Sequence, residues 1–200
     1  MAVSKGQPLE RIKEAVSAGQ KAFGENYVQE AVQKMELMEE MRLPPVEWHL
    51  IGPLQSNKTR IAAERFGWVQ TVASEKIARR LSEQRPPHLP PLNVLIQVNA
   101  SGEASKSGIA PHETQVFAKT LAAMPRLRLR GLMAIPEPGA ERSRYQEVKS
   151  IYDALKGEFG FDTLSMGMSD DLELALAEGA TMVRIGTAIF GQRKKQKDAA

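Results

Sequence analysis

The stretch Thr163-Leu164-Ser165-Met166-Gly167-Met168-Ser169-Asp170-Asp171 lays out a strand, a turn and the start of a helix in quick succession. Thr163 to Ser165 reads as a short buried strand and Gly167 as the turn. Ser169 reads as an N-cap, with Asp170 and Asp171 in the first helical turn, where carboxylates complement the helix dipole. The helical pattern runs from Asp170 to Glu178, and Gly179 falls where a C-terminal glycine belongs. A second apolar run, Met182 to Ile185, follows. Two strands joined by a helix of this length read as a parallel pair with its crossover.

The same unit repeats outward from this point to both ends of the chain. Further strands are expected at Ala2 to Lys5, Lys21 to Gly24, Glu47 to Ile51, Trp68 to Val72, Asn93 to Asn99 and Arg128 to Ala134. Helical patterns lie between them at Leu9 to Ala18, Tyr27 to Met41, Lys58 to Phe66, Glu75 to Gln84, Pro111 to Ala123 and Arg142 to Glu158. Pro111 opens its helix in a favoured first-turn position, and Gly19 stops the first helix. Pro86, Pro87, Pro90 and Pro91 make a rigid connector too short to link domains. An open dinucleotide-binding sheet would carry G-x-G-x-x-G after its first strand, and Gly6-Gln7-Pro8-Leu9 does not supply it. The pattern therefore predicts an α/β fold, a single (β/α)8 barrel of the TIM type spanning 1–191, with a basic flexible tail over 192–200. In such a barrel the functional groups gather at the C-terminal ends of the strands.

Composition narrows the chemistry. The 200 residues are 42% hydrophobic and 26% charged, ordinary values for a globular domain. No stretch approaches the roughly 18 apolar residues of a membrane span, and no secretory leader pattern opens the chain, so a cytoplasmic protein without a membrane partner is expected. Cysteine is absent, which excludes disulfides, a thiolate nucleophile and zinc-thiolate sites. His49, His88 and His112 are far apart and form no H-E-x-x-H pattern, so no metal is expected. The formal charge of +3 is mild, and Arg193, Lys194, Lys195 and Lys197 of the tail read as a solvated terminus rather than a nucleic-acid site.

The strand ends supply the candidates. Lys5 closes the apolar run Met1-Ala2-Val3-Ser4 and precedes Gly6-Gln7-Pro8. Burial there would lower its pKa and leave a neutral amine able to attack an aldehyde, while a solvated lysine at a strand end is the competing reading. The last two loops, Ser165 to Asp171 and Val183 to Gly191, are those from which barrels usually build a phosphate site. Gly186 would let the backbone approach an anion, with the hydroxyls of Ser169 and Thr187 and nearby amides as donors. A capped helix and a tight turn would use the same residues. Alternation places Arg184 opposite Val183 and Ile185, inside the barrel, paired with a carboxylate or with a ligand. His49 reads either as a core histidine bonded to a backbone carbonyl or as a general base. Tyr145 and Tyr152 fall in a helix, as surface or packing residues.

Six ordered motifs carry a family resemblance. They are Ala2-Val3-Ser4-Lys5, Phe23-Gly24-Glu25-Asn26-Tyr27, Trp48 through Lys58, Gly131-Leu132-Met133-Ala134, Gly167-Met168-Ser169-Asp170 and Arg184-Ile185-Gly186-Thr187. Together the chain resembles the YggS/PROSC family of pyridoxal phosphate homeostasis proteins from end to end. The resemblance implies a barrel similar to the N-terminal domain of alanine racemase, binding pyridoxal 5'-phosphate. It implies that Lys5 holds the cofactor as an aldimine, that Ser169, Gly186 and Thr187 surround the phosphate, and that Met168 is a further cofactor-binding residue. It places Arg184 at the pyridine nitrogen and Asn26 and His49 in motifs lining the pocket. Family members usually carry a further helix and linker before the lysine strand, so the expectation is either a truncated start or a version that lacks that helix.

An arginine at the pyridine nitrogen leaves it unprotonated and weakens the electron sink that carbanion chemistry needs, which favours binding over catalysis. The leading expectation is thus a monomeric, non-catalytic carrier of pyridoxal phosphate that exchanges it with amines, with pyridoxal phosphate-dependent apoenzymes as partners. An amino-acid racemase is the alternative, and it needs acid/base groups on both faces of the substrate. A protein-binding scaffold without cofactor is a third class.

Overall fold

The structure, a computed structural model, describes residues 1–101 and 107–191. The basic cluster of the tail lies outside the described residues. The strands are β1 (Ala2–Val3), β2 (Ala22–Glu25), β3 (Glu47–Leu50), β4 (Trp68–Val72), β5 (Leu92–Val98), β6 (Leu127–Ala134) and β7 (Thr163–Ser165). The helices that follow them are α1 (Leu9–Ser17), α2 (Val28–Glu40), α3 (Thr59–Arg65), α4 (Glu75–Gln84), α5 (Thr114–Ala122), α6 (Arg142–Phe159), α7 (Leu172–Ala177) and α8 (Thr187–Phe190).

All seven strands form one parallel sheet in sequential order, β1 to β7, and the sheet curls. The expected eighth strand is not a regular one. Residues 182–185 make single parallel bridges to both edges, Met182 with Ser165 and Ile185 with Ala2. The reason is local: the amides of Thr181 and Met182 both donate to the carbonyl of Leu164, at 3.0 and 3.2 Å, so a regular ladder cannot start there. The connection to β1 is nonetheless firm, with Ile185 N–H donating to Met1 O at 3.0 Å and Val3 N–H to Ile185 O at 2.8 Å.

The outer face of the sheet packs on the helices through a continuous apolar layer that includes Phe23, Leu50, Val69, Val94, Ile96, Leu132 and Leu164. Residues one position out of phase face the inside of the curl. There Trp68, Leu95 and Met133 form a separate small cluster, alongside the buried polar side chains of His49, Gln70, Gln97 and Ser165. The inside is therefore a mixed lining, unlike the apolar outer layer.

Helix α7 begins later than expected. Its Asp171 turns back to accept the Met168 amide on Oδ1 at 2.6 Å and reaches across to Tyr145 on Oδ2 at 2.6 Å. Ser169 is consequently in a turn and is not the N-cap. Pro111 opens a short 3-10 turn, Pro111–Glu113, ahead of α5 rather than the helix itself. Tyr145 and Tyr152 are packing residues, 2% and 3% exposed, in line with one of the two expectations for them. A helix start at the Gly186 turn was expected without bounds, and α8 supplies it over Thr187–Phe190. Four residues give too little periodicity to read.

Candidate functional site

Lys5 leaves the C-terminal end of β1 and is half-buried. The residues on either side of it are held by one network, buried at Ser4, Glu25 and Lys34 and open to solvent at Gly6. The Ser4 hydroxyl donates to Glu25 Oε1 at 2.6 Å, and Lys34 Nζ of α2 donates to Ser4 O at 2.7 Å, Glu25 Oε1 at 2.8 Å and Glu30 Oε1 at 2.6 Å. Gly6 N–H donates to the same Glu30 oxygen at 2.6 Å. Ser4 thus faces α2, and alternation carries Lys5 to the other side of the sheet, toward the mouth of the curl. Burial pushes the Glu25 carboxyl above the usual carboxylate range, with Lys34 and Ser4 opposing it. Its Oε2 is buried with no partner.

The far end of the chain meets this strand. Because Ile185 bridges Ala2, Gly186 packs on Val3, and a Cβ built at Gly186 would lie 3.5 Å from Val3 O and 3.6 Å from Val3 Cβ. Gly186 precedes α8, whose exposed Thr187 is the first helical residue. The first amides of any helix lack intrahelical acceptors, so this turn offers donors beside the lysine strand.

Arg184 is 4% exposed. Its Nη1 donates to Ser165 Oγ at 2.9 Å and its Nη2 to Ala134 O at 2.8 Å, so it is held at the ends of β7 and β6 by neutral acceptors. Of the two sequence expectations, the inward placement holds, and the direct partners are a hydroxyl and a carbonyl instead of a carboxylate. Burial lowers its pKa to about 10, against the opposing pull of Asp171 and Tyr145. The Arg184 amide also donates to Gly167 O at 2.9 Å, tying it to the loop that carries Met168 and Ser169. Gly167 has φ +96°, and a Cβ there would come within 2.5 Å of Ala175 Cβ, so this close turn admits only glycine. Met168 is exposed and Ser169 half-buried in the same loop.

Lys5, Met168, Ser169, Arg184, Gly186 and Thr187 therefore share one arc of the mouth, from β7 through residues 182–185 to β1. Asn26 lies on the next arc, at the end of β2, where it lines a cavity of about 520 Å³ with Gly52, Thr71, Ser74, Gln97 and Ile135. Gly52 is needed there, because a Cβ would sit 2.1 Å from Asn26 O. Sequence reasoning passed over Thr71, Ser74 and Gln97, which carry no charge and no motif.

His49 is elsewhere. It is fully buried inside the curl, stacked on Trp68 with ring centroids 5.0 Å apart, and is not among the residues around the cavity. Its Nε2 is 2.8 Å from Glu47 Oε1 and its Nδ1 2.9 Å from Gln70 Nε2. Its partners are side chains rather than the backbone carbonyl expected of a core histidine. Burial lowers its pKa, with Glu47 opposing.

A curled parallel α/β sheet with a lysine, a buried arginine and a glycine turn together at the strand ends defines a class of small-molecule-binding barrel-like domains. The alanine racemase N-terminal domain family matches residues 1–194, and the chain belongs to that family. Within it the chain is a member of the pyridoxal phosphate homeostasis group. It is 55% identical over 202 residues to the pyridoxal phosphate homeostasis protein of Escherichia coli K12, an alignment covering 98% of this chain and 86% of that one. It is 56% identical over 195 residues to the protein of the same name from Pseudomonas aeruginosa, covering 96% and 84%. The solved structure of PipY from Synechococcus elongatus with pyridoxal phosphate bound superposes with a TM-score of 0.85 at 36% identity, covering 96% of this chain and 91% of that chain. A Clostridium difficile alanine racemase shares the fold alone, with TM-score 0.75 at 12% identity. No helix among the described residues is long and apolar enough to cross a membrane.

Proposed function

We propose that this chain binds pyridoxal 5'-phosphate at the β1 and β7 arc and serves its homeostasis as a carrier, without committed turnover. The observation that carries the reading is the bridge between Ile185 and Ala2, which sets the Gly186 turn against the strand that delivers Lys5. The donor set fits the cofactor: an amine for an aldehyde, hydroxyls and helix-start amides for a phosphate, and a buried guanidinium for a ring nitrogen. When bound, pyridoxal phosphate supplies an aldehyde that condenses reversibly with amines.

Each residue then has a separate task. Lys5 Nζ is the amine, held in place through Ser4 and Gly6 by Glu25, Lys34 and Glu30. Ser169, Gly186 and Thr187 bind the phosphate, with Met168 against it. Arg184 faces the ring nitrogen as a donor that keeps its proton at neutral pH, which keeps that nitrogen an acceptor. Asn26 borders the neighbouring cavity. In the same reading, residues 182–185 close the sheet as an eighth stave, and the protein acts in the cytoplasm as a monomer that delivers cofactor to apoenzymes.

The racemase reading needs an acid/base group opposite Lys5. The tyrosine side chains favour the carrier: Tyr27 is 64% exposed, the Tyr145 hydroxyl donates to Asp171, and the Tyr152 hydroxyl donates to Phe161 O. Titrating the protein with pyridoxal phosphate and recording the absorbance tests binding. Saturation at one equivalent supports the reading, and an unchanged spectrum of free cofactor refutes it. Incubation with a single amino-acid enantiomer in deuterated water tests turnover, and sustained deuterium at Cα would refute the carrier role.

A further inference from the structure

A line of buried polar side chains crosses the inside of the curl from Arg184 to Glu47. Arg184 Nη1 lies 2.9 Å from Ser165 Oγ, and Ser165 Oγ 2.7 Å from Gln70 Oε1. Gln70 Nε2 lies 2.9 Å from His49 Nδ1, and His49 Nε2 2.8 Å from Glu47 Oε1. Ser4 and the Glu25 and Lys34 pair it joins lie outside this line. Ser165, Gln70, His49 and Arg184 are all buried, while the Glu47 side chain is 49% exposed at the opposite end of the strands.

The two ends decide every link between them. A guanidinium only donates and an ionised carboxylate only accepts. Arg184 therefore donates to Ser165, whose own hydroxyl hydrogen goes to Gln70 Oε1. The Gln70 amide nitrogen must then donate to His49 Nδ1, which leaves the imidazole proton on Nε2, pointing at Glu47. An independent contact fixes the same amide orientation: Gln70 Nε2 lies 3.2 Å from Met182 Sδ and 3.8 Å from Met1 Sδ. Thioether sulfur accepts weakly and never donates, so the nitrogen and not the oxygen belongs on that side.

We propose that Ser165, Gln70, His49 and Glu47 form one directed hydrogen-bond chain, every donor aimed from Arg184 toward Glu47, and that Gln70 and His49 are positioning residues for Arg184. This rests on the reading above only in taking Arg184 to meet the cofactor; the direction of the chain stands without it. Arg184 has two side-chain anchors, and one of them is Ser165, whose hydroxyl is oriented by Gln70. The chain also makes the site sensitive to a proton arriving at His49. Protonated Nδ1 would need an acceptor, so the Gln70 amide would turn over, put its oxygen against Met182 sulfur and withdraw the acceptor from Ser165. The charged groups around the imidazole are Glu47 on its own strand, Arg130 of β6, whose guanidinium lies 4.7 Å above the Trp68 ring, and the amino group at Met1. The lowered pKa of His49 agrees with a neutral ring.

Nitrogen-15 NMR of the histidine side chains in cofactor-free protein tests the direction. At neutral pH His49 should show an unprotonated Nδ1 and a protonated Nε2, and a protonated Nδ1 would overturn the chain. Gln70→Glu offers a carboxylate to Nδ1 and should make His49 doubly protonated at neutral pH, whereas Gln70→Leu should not. With pyridoxal phosphate, Gln70→Leu and Ser165→Ala should each weaken binding about tenfold, the scale of one charge-assisted bond, and shift the absorption band of the bound cofactor. An unchanged affinity and band in both variants would overturn the positioning role. Should the unaltered protein bind no cofactor, the functional reading falls, and the tautomer measurement still decides the chain.

Discussion

Replacing Lys34 with methionine tests how the lysine strand is held. Methionine keeps the length of the apolar stem, so packing against the buried stripe of α2 is largely retained, and what is lost is the ammonium. Its three bonds, to Ser4 O at 2.7 Å, Glu25 Oε1 at 2.8 Å and Glu30 Oε1 at 2.6 Å, go with it. Glu25 is fully buried, and one of its oxygens already has no partner. Breaking a buried pair by removing one member typically costs about 3–5 kcal/mol, because the other charge is left in a poor solvent. Lys34→Met should therefore lose about that much by urea denaturation at pH 7, with an unchanged m-value. The sign with pH follows from Glu25: without Lys34 its folded pKa rises further, so the folded state binds a proton more readily than the unfolded one. The deficit should thus shrink as the pH falls toward the ordinary carboxylate range. The double variant Glu25→Gln with Lys34→Met should recover part of the loss. A cost under about 1 kcal/mol, the range of an exposed ion pair, would refute the reasoning.

Further outcomes follow from other parts of the site. Gly52→Ala should destabilise by about 1–3 kcal/mol or more in thermal unfolding, since its Cβ would need to sit 2.1 Å from Asn26 O. His49 has a folded pKa below its unfolded value near 6.5, so its contribution to stability is intact above that pH and lost as the pH falls from there toward the folded value; His49→Gln should flatten that segment of a stability-versus-pH curve. Arg184→Leu removes a buried cation and its two acceptor contacts, and should alter the absorption band of bound cofactor while leaving the lysine at β1 reactive.

Much of the fold was legible because each unit repeats the same short code, an apolar run, a glycine or serine turn and an amphipathic helix. The irregular last strand was not, since the sharing of Leu164 O by two amides depends on geometry that no residue type announces. For the site, Lys5, Arg184 and Gly186 stood out through their positions at strand ends. The network behind Lys5 was missed although it left a trace: Glu25 closes an otherwise buried strand, and Lys34 falls among Ala31, Met35 and Met38 on the buried stripe of α2. A charge on an apolar stripe signals a buried partner. The hydrogen-bonded setting of His49 inside the curl was not legible, because its partner Gln70 is an uncharged residue inside an ordinary strand. The link from Gln70 to Ser165 spans 95 positions, beyond what local pattern can connect.

The most direct measurement is borohydride reduction of the protein saturated with pyridoxal phosphate, followed by mass spectrometry of its peptides. The account predicts one equivalent of reduced cofactor on Lys5, and none in Lys5→Ala, which should keep only weakened, reversible binding. A label spread over surface lysines, or an equal label in Lys5→Ala, would contradict it.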